Sequence, residues 1–427
     1  MRCPAGVLTI FAITVSVPCA SAQDWPQYHG PSHNRTVAGK IRDQAWPETG
    51  PRVAWRVKTN RGFSSVVVAH QRAFTLVTRD GKETCLALAV SDGDELWATP
   101  VGRAKYDGGG DAGARGNDGG DGPRSTPSID DDRVYVFDAQ LGLHCLAASD
   151  GKPMWEQDLL ADFAGRNIPW QNAASPLVDG AAVFVAGGGP GESLIAFDKK
   201  SGDVLWKDYD ERMTHATPIV ATLHGVRQII FYVRKGLIAV APKTGKTLWR
   251  VDYPYRTSTA ASPVVDGNVV YCSAGYGVGA AAFEIAKDDA GFAVKLLWRK
   301  PNRLMNHWST PVAKDGYLYG MFSFKKYGKG PFLCVDIRTG KTQWSVPGFG
   351  PGNCILVGND LLALSDKGEL VVAAAKPDAY EELARADILR GKCWSTPVYA
   401  DGQIYARSTV EAVRVDVSGG ATDEPKK

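Results

Sequence analysis

Short apolar runs alternate with polar turns along most of the chain. Ala261-Ser262-Pro263-Val264-Val265 gives way to Asp266-Gly267 and then to the Val- and Tyr-rich run from Asn268 to Ser273, which predicts two strands joined by a hairpin at the Asp-Gly pair. A third apolar run elsewhere precedes a polar turn ending in glycine, as in Leu237 to Ala241 before Lys243-Thr244-Gly245-Lys246, and a fourth run carries Trp249. The same glycine-to-tryptophan spacing recurs at Gly93/Trp97, Gly151/Trp155, Gly202/Trp206 and Gly340/Trp344. With Trp55 and Trp298 included, successive tryptophans lie 42, 58, 51, 43, 49 and 46 residues apart, in or near the period of a propeller blade. Each unit reads as a four-stranded antiparallel meander, and its glycine fits a tight third-to-fourth-strand turn that needs positive φ.

Eight such units open near Phe63, Arg124, Ala173, His215, Ala260, Trp308, Asn353 and Trp394, most followed by Ser or Thr and then Pro, as in Ser125-Thr126-Pro127 and Ser395-Thr396-Pro397. The seventh lacks its tryptophan and is expected to use Leu383 there. The eighth has only three strands, while Arg52 to Lys58, with Trp55, is a strand without a unit. Ring closure follows: an all-β, eight-bladed propeller whose last blade is completed by the N-terminal strand, which removes an exposed sheet edge. Trp55, Trp97, Trp155, Trp206, Trp249, Trp298 and Trp344 are its structural anchors. Each buries about 150–250 Å², worth roughly 4–6 kcal/mol as an upper bound.

The 427 residues divide into a leader (1–22), an N-terminal extension (23–51), the propeller (52–417) and a polar tail (418–427) expected to be disordered. Arg2, the apolar stretch Val7 to Val17 and Ala20-Ser21-Ala22 form a cleavable signal peptide, which places the mature chain in the periplasm or outside the cell. Pro18 before Cys19 makes lipid anchoring through Cys19 the poorer reading. No later run is long enough to span a bilayer. Forty-nine Lys and Arg against 46 Asp and Glu give a net charge of only +3, with no basic stripe along the sequence, so nucleic acid is not an expected partner. Six cysteines follow the leader. Cys145 and Cys334 fall in a column otherwise held by Ala87, Ala196 and Ala239, which reads as a small buried position. Only Cys354 and Cys393 are placed where a disulfide is conceivable, and the sequence does not decide it.

The Gly-x-x-x-Trp ends, the Lys-Thr-Gly-Lys turn, the Ser-Thr-Pro openings and the eight units resemble the pyrroloquinoline-quinone (PQQ) repeat family of β-propellers over nearly all the mature chain. Asp24-Trp25-Pro26-Gln27-Tyr28-His29-Gly30-Pro31 is also similar to the opening of many exported bacterial members. The family holds quinone-dependent dehydrogenases and, without any quinone, a BamB-like lipoprotein of outer-membrane protein assembly. The resemblance to the enzymes implies adjacent cysteines, a calcium held by Glu, Asn and Asp, an Asp base and a stacking Trp. No two cysteines here are adjacent, and no segment reproduces the calcium and base motifs.

In such a ring the first strand of each blade lines the channel, and the links that lead into it share a face with the second-to-third-strand turns. The long links gather on that face, which reads as the binding side. Phe63, Arg124, Asn172, His215, Asn306, His307, Trp308, Lys392 and Trp394 are the expected mouth residues, a mixture suited to a planar or anionic ligand. The loop containing Asp107, Asp111, Asn117, Asp118 and Asp121 sets carboxylates among glycines, as calcium loops do, but its spacing matches no defined calcium motif. The expectation is a non-catalytic exported propeller that binds a protein, peptide or glycan at its looped face and needs no cofactor. The alternative is a PQQ- and calcium-dependent alcohol or sugar dehydrogenase with an atypical site.

Overall fold

A computed structural model describes residues 24–104, 122–322 and 324–419. The leader at 1–22, the five calcium-loop candidates (Asp107, Asp111, Asn117, Asp118 and Asp121) and nearly all of the tail lie outside these residues. Eight antiparallel sheets follow one another around a ring. Seven are formed in chain order, from the blade running Val67–Ala69 to Glu95–Arg103 through to the seventh, Asn353–Val357 to Glu382–Asp387. The eighth combines Val398–Ala400, Gln403–Arg407 and Glu411–Asp416 with the N-terminal Arg52–Lys58 as its outermost strand. Arg52 pairs with Asp416 and Lys58 with Glu411, so the ring closes as the strand count required.

The Gly-x-x-x-Trp motif is a contact between neighbouring blades. The indole N–H of six of the seven outer-strand tryptophans donates to a carbonyl in the third-to-fourth-strand turn of the next blade: Trp55 to Val90, Trp97 to Ala148, Trp155 to Lys199, Trp206 to Pro242, Trp298 to Ile337 and Trp344 to Lys376. Where that turn carries a glycine, as in every case but the seventh blade's, the glycine lies against the ring. A Cβ built on Gly151, Gly202 or Gly245 would come within 2.6–2.8 Å of the preceding blade's indole. Glycine is therefore required twice over, for its positive φ and for this close approach. Within its own blade every one of these tryptophans except Trp55, which pairs with Arg414, pairs across the sheet with a small residue: Trp97 with Ala87, Trp155 with Cys145, Trp206 with Ala196, Trp249 with Ala239, Trp298 with Ala282 and Trp344 with Cys334. That is the physical content of the Ala/Cys column. In the seventh blade the corresponding residue is Ala384, which pairs with Val372 just before the bulge. Leu383 falls at the bulge and is displaced by one position from the expectation. Trp249 also departs, donating to Gln228, because the fifth blade carries a long hairpin, Gly279–Asp288 with Gly291–Lys300, in place of the glycine turn.

The Ser/Thr-Pro openings form a belt around the channel. The amide of Thr396 donates to the hydroxyl of Ser65, Ser65 to Thr126, Thr126 to Ser175 and Ser175 to Thr217, at 2.9–3.0 Å. The Ser262 hydroxyl donates to the Thr217 carbonyl, and its amide to the Thr310 hydroxyl. The belt breaks at the seventh blade, which has Asn353-Cys354 where the others have Ser or Thr.

The N-terminal extension repairs that break. Trp25 bridges to Val68 in the first blade, the Pro26 carbonyl accepts from Ile129 in the second, and Gln27 bonds Val178 in the third. Thr36–Val37 then adds to Asn353–Val357 as a parallel fifth strand of the seventh blade. Arg35, 1% exposed, donates to the Thr310 carbonyl (2.6 Å), the Asn353 side chain (3.3 Å) and the Thr396 hydroxyl (2.7 Å), and so links blades six, seven and eight. The contacts of Trp25, Pro26, Gln27 and Thr36–Val37 fall on the inner strands near their first-to-second-strand turns, and the Arg35 side chain reaches from there to the starts of three of these strands. The extension therefore fills the end of the channel opposite the long links.

Candidate functional site

The links that lead into the inner strands, 59–66, 253–263, 301–311 and 388–397 among them, surround the other end of the channel with the second-to-third-strand turns. Trp394 stands at the centre of an aromatic cluster there. Phe63 stacks on it at 5.0 Å between ring centroids and Tyr327 at 5.8 Å, while Trp308 lies tilted at 4.9 Å. Lys392 places its ammonium 4.4 Å from the Trp394 ring, close enough for a cation–π contact. Trp308 is fixed by donating its indole N–H to the Pro351 carbonyl. The run of rings continues through His307, which meets Trp308, Phe324 and Tyr276 at 5.1–5.3 Å.

Arg124 and His215 form a second group on the adjoining wall. Each is held by a carbonyl of one link, Arg124 by Trp170 and His215 by Pro169. Asn172 and Asn306 do not present their amides to the channel. Asn172 donates to the carbonyls of Phe137, Asp138 and Ala174, and Asn306 ties Tyr271 and Met321 together. Both amides hold links in shape. Tyr276, Phe324, Lys325 and Tyr327 join the cluster beyond the expected mouth residues. They come from second-to-third-strand turns, where no apolar periodicity marks them, and the Phe-Lys-Lys-Tyr run at 324–327 is the one local signal of their presence.

Burial holds both histidines neutral. His215 falls to about 4, through desolvation and then repulsion from Arg124. His307 falls to about 3, through desolvation and then His215 and Lys325. The unfolded chain takes up these protons near pH 6.5 and the folded chain only near 4 or below. Stability is thus complete above about 6.5 and declines as the pH falls toward 4, by about 1.4 kcal/mol per unit for each histidine. Urea unfolding across pH 4–7 is expected to show this slope, and His215→Gln, which can still donate to the Pro169 carbonyl, should reduce it. A slope unaltered by His215→Gln would contradict the assignment.

Among the described residues, the side chains that the quinone enzymes would require do not converge here. All six described cysteines are buried and free, Cys354 and Cys393 included, with those two thiols pushed up to about 12 by burial. Among the described residues no three His, Cys, Asp or Glu side chains group as metal ligands. The Trp394 ring is already engaged in stacking with Phe63 and Tyr327. His29 and His33 lie in the channel plug and have separate partners, the Ser262 hydroxyl and Asp179.

A family described as outer membrane protein assembly factor BamB matches residues 87–346. The outer membrane protein assembly factor BamB of Moranella endobia (strain PCIT) is 24% identical over 262 residues, covering 58% of this chain and 63% of that protein. The chain thus matches less than two thirds of that relative's length. Among solved structures, BamB from Moraxella catarrhalis superposes with a TM-score of 0.59 at 16% identity, over 88% of this chain and 99% of that one. The quinohemoprotein alcohol dehydrogenase of Comamonas testosteroni gives 0.65 at 14% identity, over 95% and 82%. At such identities the superpositions speak for the propeller alone. Among the described residues no helix is long and apolar enough to cross a membrane. With the family match extending over more than half its residues, the chain belongs to the PQQ-repeat propellers described as outer membrane protein assembly factor BamB.

Proposed function

We propose that the chain is an exported, non-catalytic scaffold of the cell envelope that holds a protein partner on its looped face, as part of outer membrane protein assembly. The observation that carries this reading is the family match across residues 87–346. Two features of the molecule support it. The plug of residues 24–37 fills one end of the channel, which leaves the looped end as the accessible one. There the exposed and half-buried rings of Tyr327, Trp308 and Trp394 are backed by rigid blades, the arrangement of aromatic anchors that protein interfaces favour. A peptide or glycan could use the same rings. A quinone-dependent oxidation finds no support in the side chains, since the cysteine pair and the calcium ligands it calls for are not assembled among the described residues.

Photo-cross-linking in the native host tests the reading. A benzophenone side chain at Leu160 or Tyr327, both exposed on the looped face, is expected to trap an envelope protein of the assembly machinery, and one at Lys287 on the opposite face is not. Adding PQQ and calcium to the purified chain should give neither a bound-quinone absorbance nor dye reduction with alcohols or sugars. Cross-links from Lys287 alone, or dye reduction, would overturn the proposal.

A further inference from the structure

The chain as a whole is nearly balanced in charge, yet the fold gathers one sign of it over blades six to eight. The looped-face segments there are 322–331, 347–352, 365–368, 388–397 and 408–410. They hold Lys325, Lys326, Lys329, Lys367, Arg390 and Lys392 against a single acid, Asp366. That acid acts on only two of them, Lys367 and Lys392, whose charges favour its ionised form. It is 8% exposed, accepts the Gly328 amide, and burial holds its carboxyl above the usual carboxylate range. The nearest strand-end acids are Glu369, paired with Arg385, and Glu411, paired with Arg56, while Asp387 stands exposed at the outer rim. Lys325, Lys326, Lys329, Lys367 and Arg390 are all exposed, and no carboxylate among the described residues forms an ion pair with them. The strip of rings Tyr276, Phe324, Tyr327 and Trp394 runs through the same quadrant, with Lys325 and Lys392 already lying over ring faces.

We infer that this quadrant is the docking surface, and that the segment it takes is an acidic stretch of a partner protein that also carries aromatic side chains. The inference rests on the scaffold reading above and adds to it a location and a chemistry. Cations at this spacing supply long-range attraction for an acidic chain. An evenly charged polymer would use the lysines alone. The exposed Tyr327 ring, with half-buried rings and lysines beside it, adds a reason for aromatic residues in the ligand, because a ring can lie against Tyr327 while its neighbouring carboxylates meet Lys325 and Lys329. Such an interface is held by exposed charges and weakens as salt screens them.

The test uses the full chain and a fluorescein-labelled peptide of alternating Glu and Tyr. This peptide is expected to bind, and versions with Lys for Glu or Ser for Tyr to bind at least tenfold more weakly. The variant carrying Lys325→Glu, Lys326→Glu and Lys329→Glu, all in one exposed turn, is expected to lose tenfold or more in affinity with unchanged thermal unfolding. Tyr327→Ala should lose part of it. Equal binding of the Lys-for-Glu peptide, or unaltered binding by the triple variant, would overturn the inference. So would tighter lysine-dependent binding of phosphatidylglycerol vesicles, heparin or duplex DNA than of the acidic aromatic peptide. Benzophenone at Leu160 and at Tyr327 separates this inference from the scaffold reading. Cross-links from Leu160 without any from Tyr327 leave the scaffold standing and remove the docking quadrant, while none from either removes both.

Discussion

Arg35→Ala is expected to destabilise the folded chain by about 3 kcal/mol, the larger part of it from hydrogen bonds to a charged donor in a site closed to water. The guanidinium bonds four neutral acceptors, the Thr310 carbonyl, Asn353, Thr396 and the Tyr28 hydroxyl, and its carbon sits 4.8 Å from the Tyr28 ring centroid. Three of the four partners belong to three successive blades. One substitution therefore removes the belt's guanidinium link between the seventh blade and both its neighbours, leaving the Trp344-to-Lys376 and Asn353-to-Trp394 bonds in place. Arg35→Lys keeps the charge but offers a point donor in place of a planar fork, and should recover no more than about half of the loss. The backbone at Arg35 is left-handed, with φ of +62°, which costs an ordinary residue about 1 kcal/mol. Arg35→Gly is therefore expected to be milder than Arg35→Ala by about that amount. Equilibrium urea unfolding measures all three. A cost below about 1 kcal/mol for the alanine variant would mean that the belt closes without the guanidinium.

The ring was legible because its instructions repeat. Alternating apolar runs, Asp-Gly hairpins and the tryptophan period each report on a single blade, and eight copies fix the architecture even though the seventh has lost its tryptophan. Closure was legible from an unpaired strand at one end and a missing strand at the other. The plug was not. Residues 24 to 37 are polar and rich in Pro, Gly and His, with no periodicity of either kind, because they are buried by the walls of the channel and not by a face of their own. The available signals were indirect: a Trp and an Arg in a turn-rich segment, and a seventh blade without the Ser/Thr-Pro pair. Spacing placed the expected mouth residues at the looped end, where they sit, but could not say which way their polar atoms turn. Asn172 and Asn306 face inward to backbone groups, while the rings that complete the cluster come from turns whose conformation no local pattern predicts.

The glycine of each repeat makes a claim that a single measurement can isolate. Gly202 has φ of +80°, and a Cβ there would stand 2.8 Å from Cδ2 of Trp155, the tryptophan of the preceding blade. Gly202→Ala should cost about 2–4 kcal/mol, of which about 1–2 is the left-handed backbone and the remainder the overpacking against the indole. Trp155→Ala should cost about 3–5 kcal/mol through lost burial and the cavity it leaves, with the donation to Lys199 lost as well. If the glycine served only the turn, the two losses would add, since the residues lie in different blades. If it is there to admit the indole, Gly202→Ala on the Trp155→Ala background should cost only its backbone share, and the double variant should be more stable than the sum by about 1–3 kcal/mol. The same cycle at Gly245 and Trp206 is expected to agree, since both the approach of 2.7 Å and the indole donation to Pro242 recur there. Additivity at both sites would return the motif to turn chemistry. Coupling at both would identify Gly-x-x-x-Trp as a two-blade contact, in which the glycine of one unit is selected by the tryptophan of the unit before it.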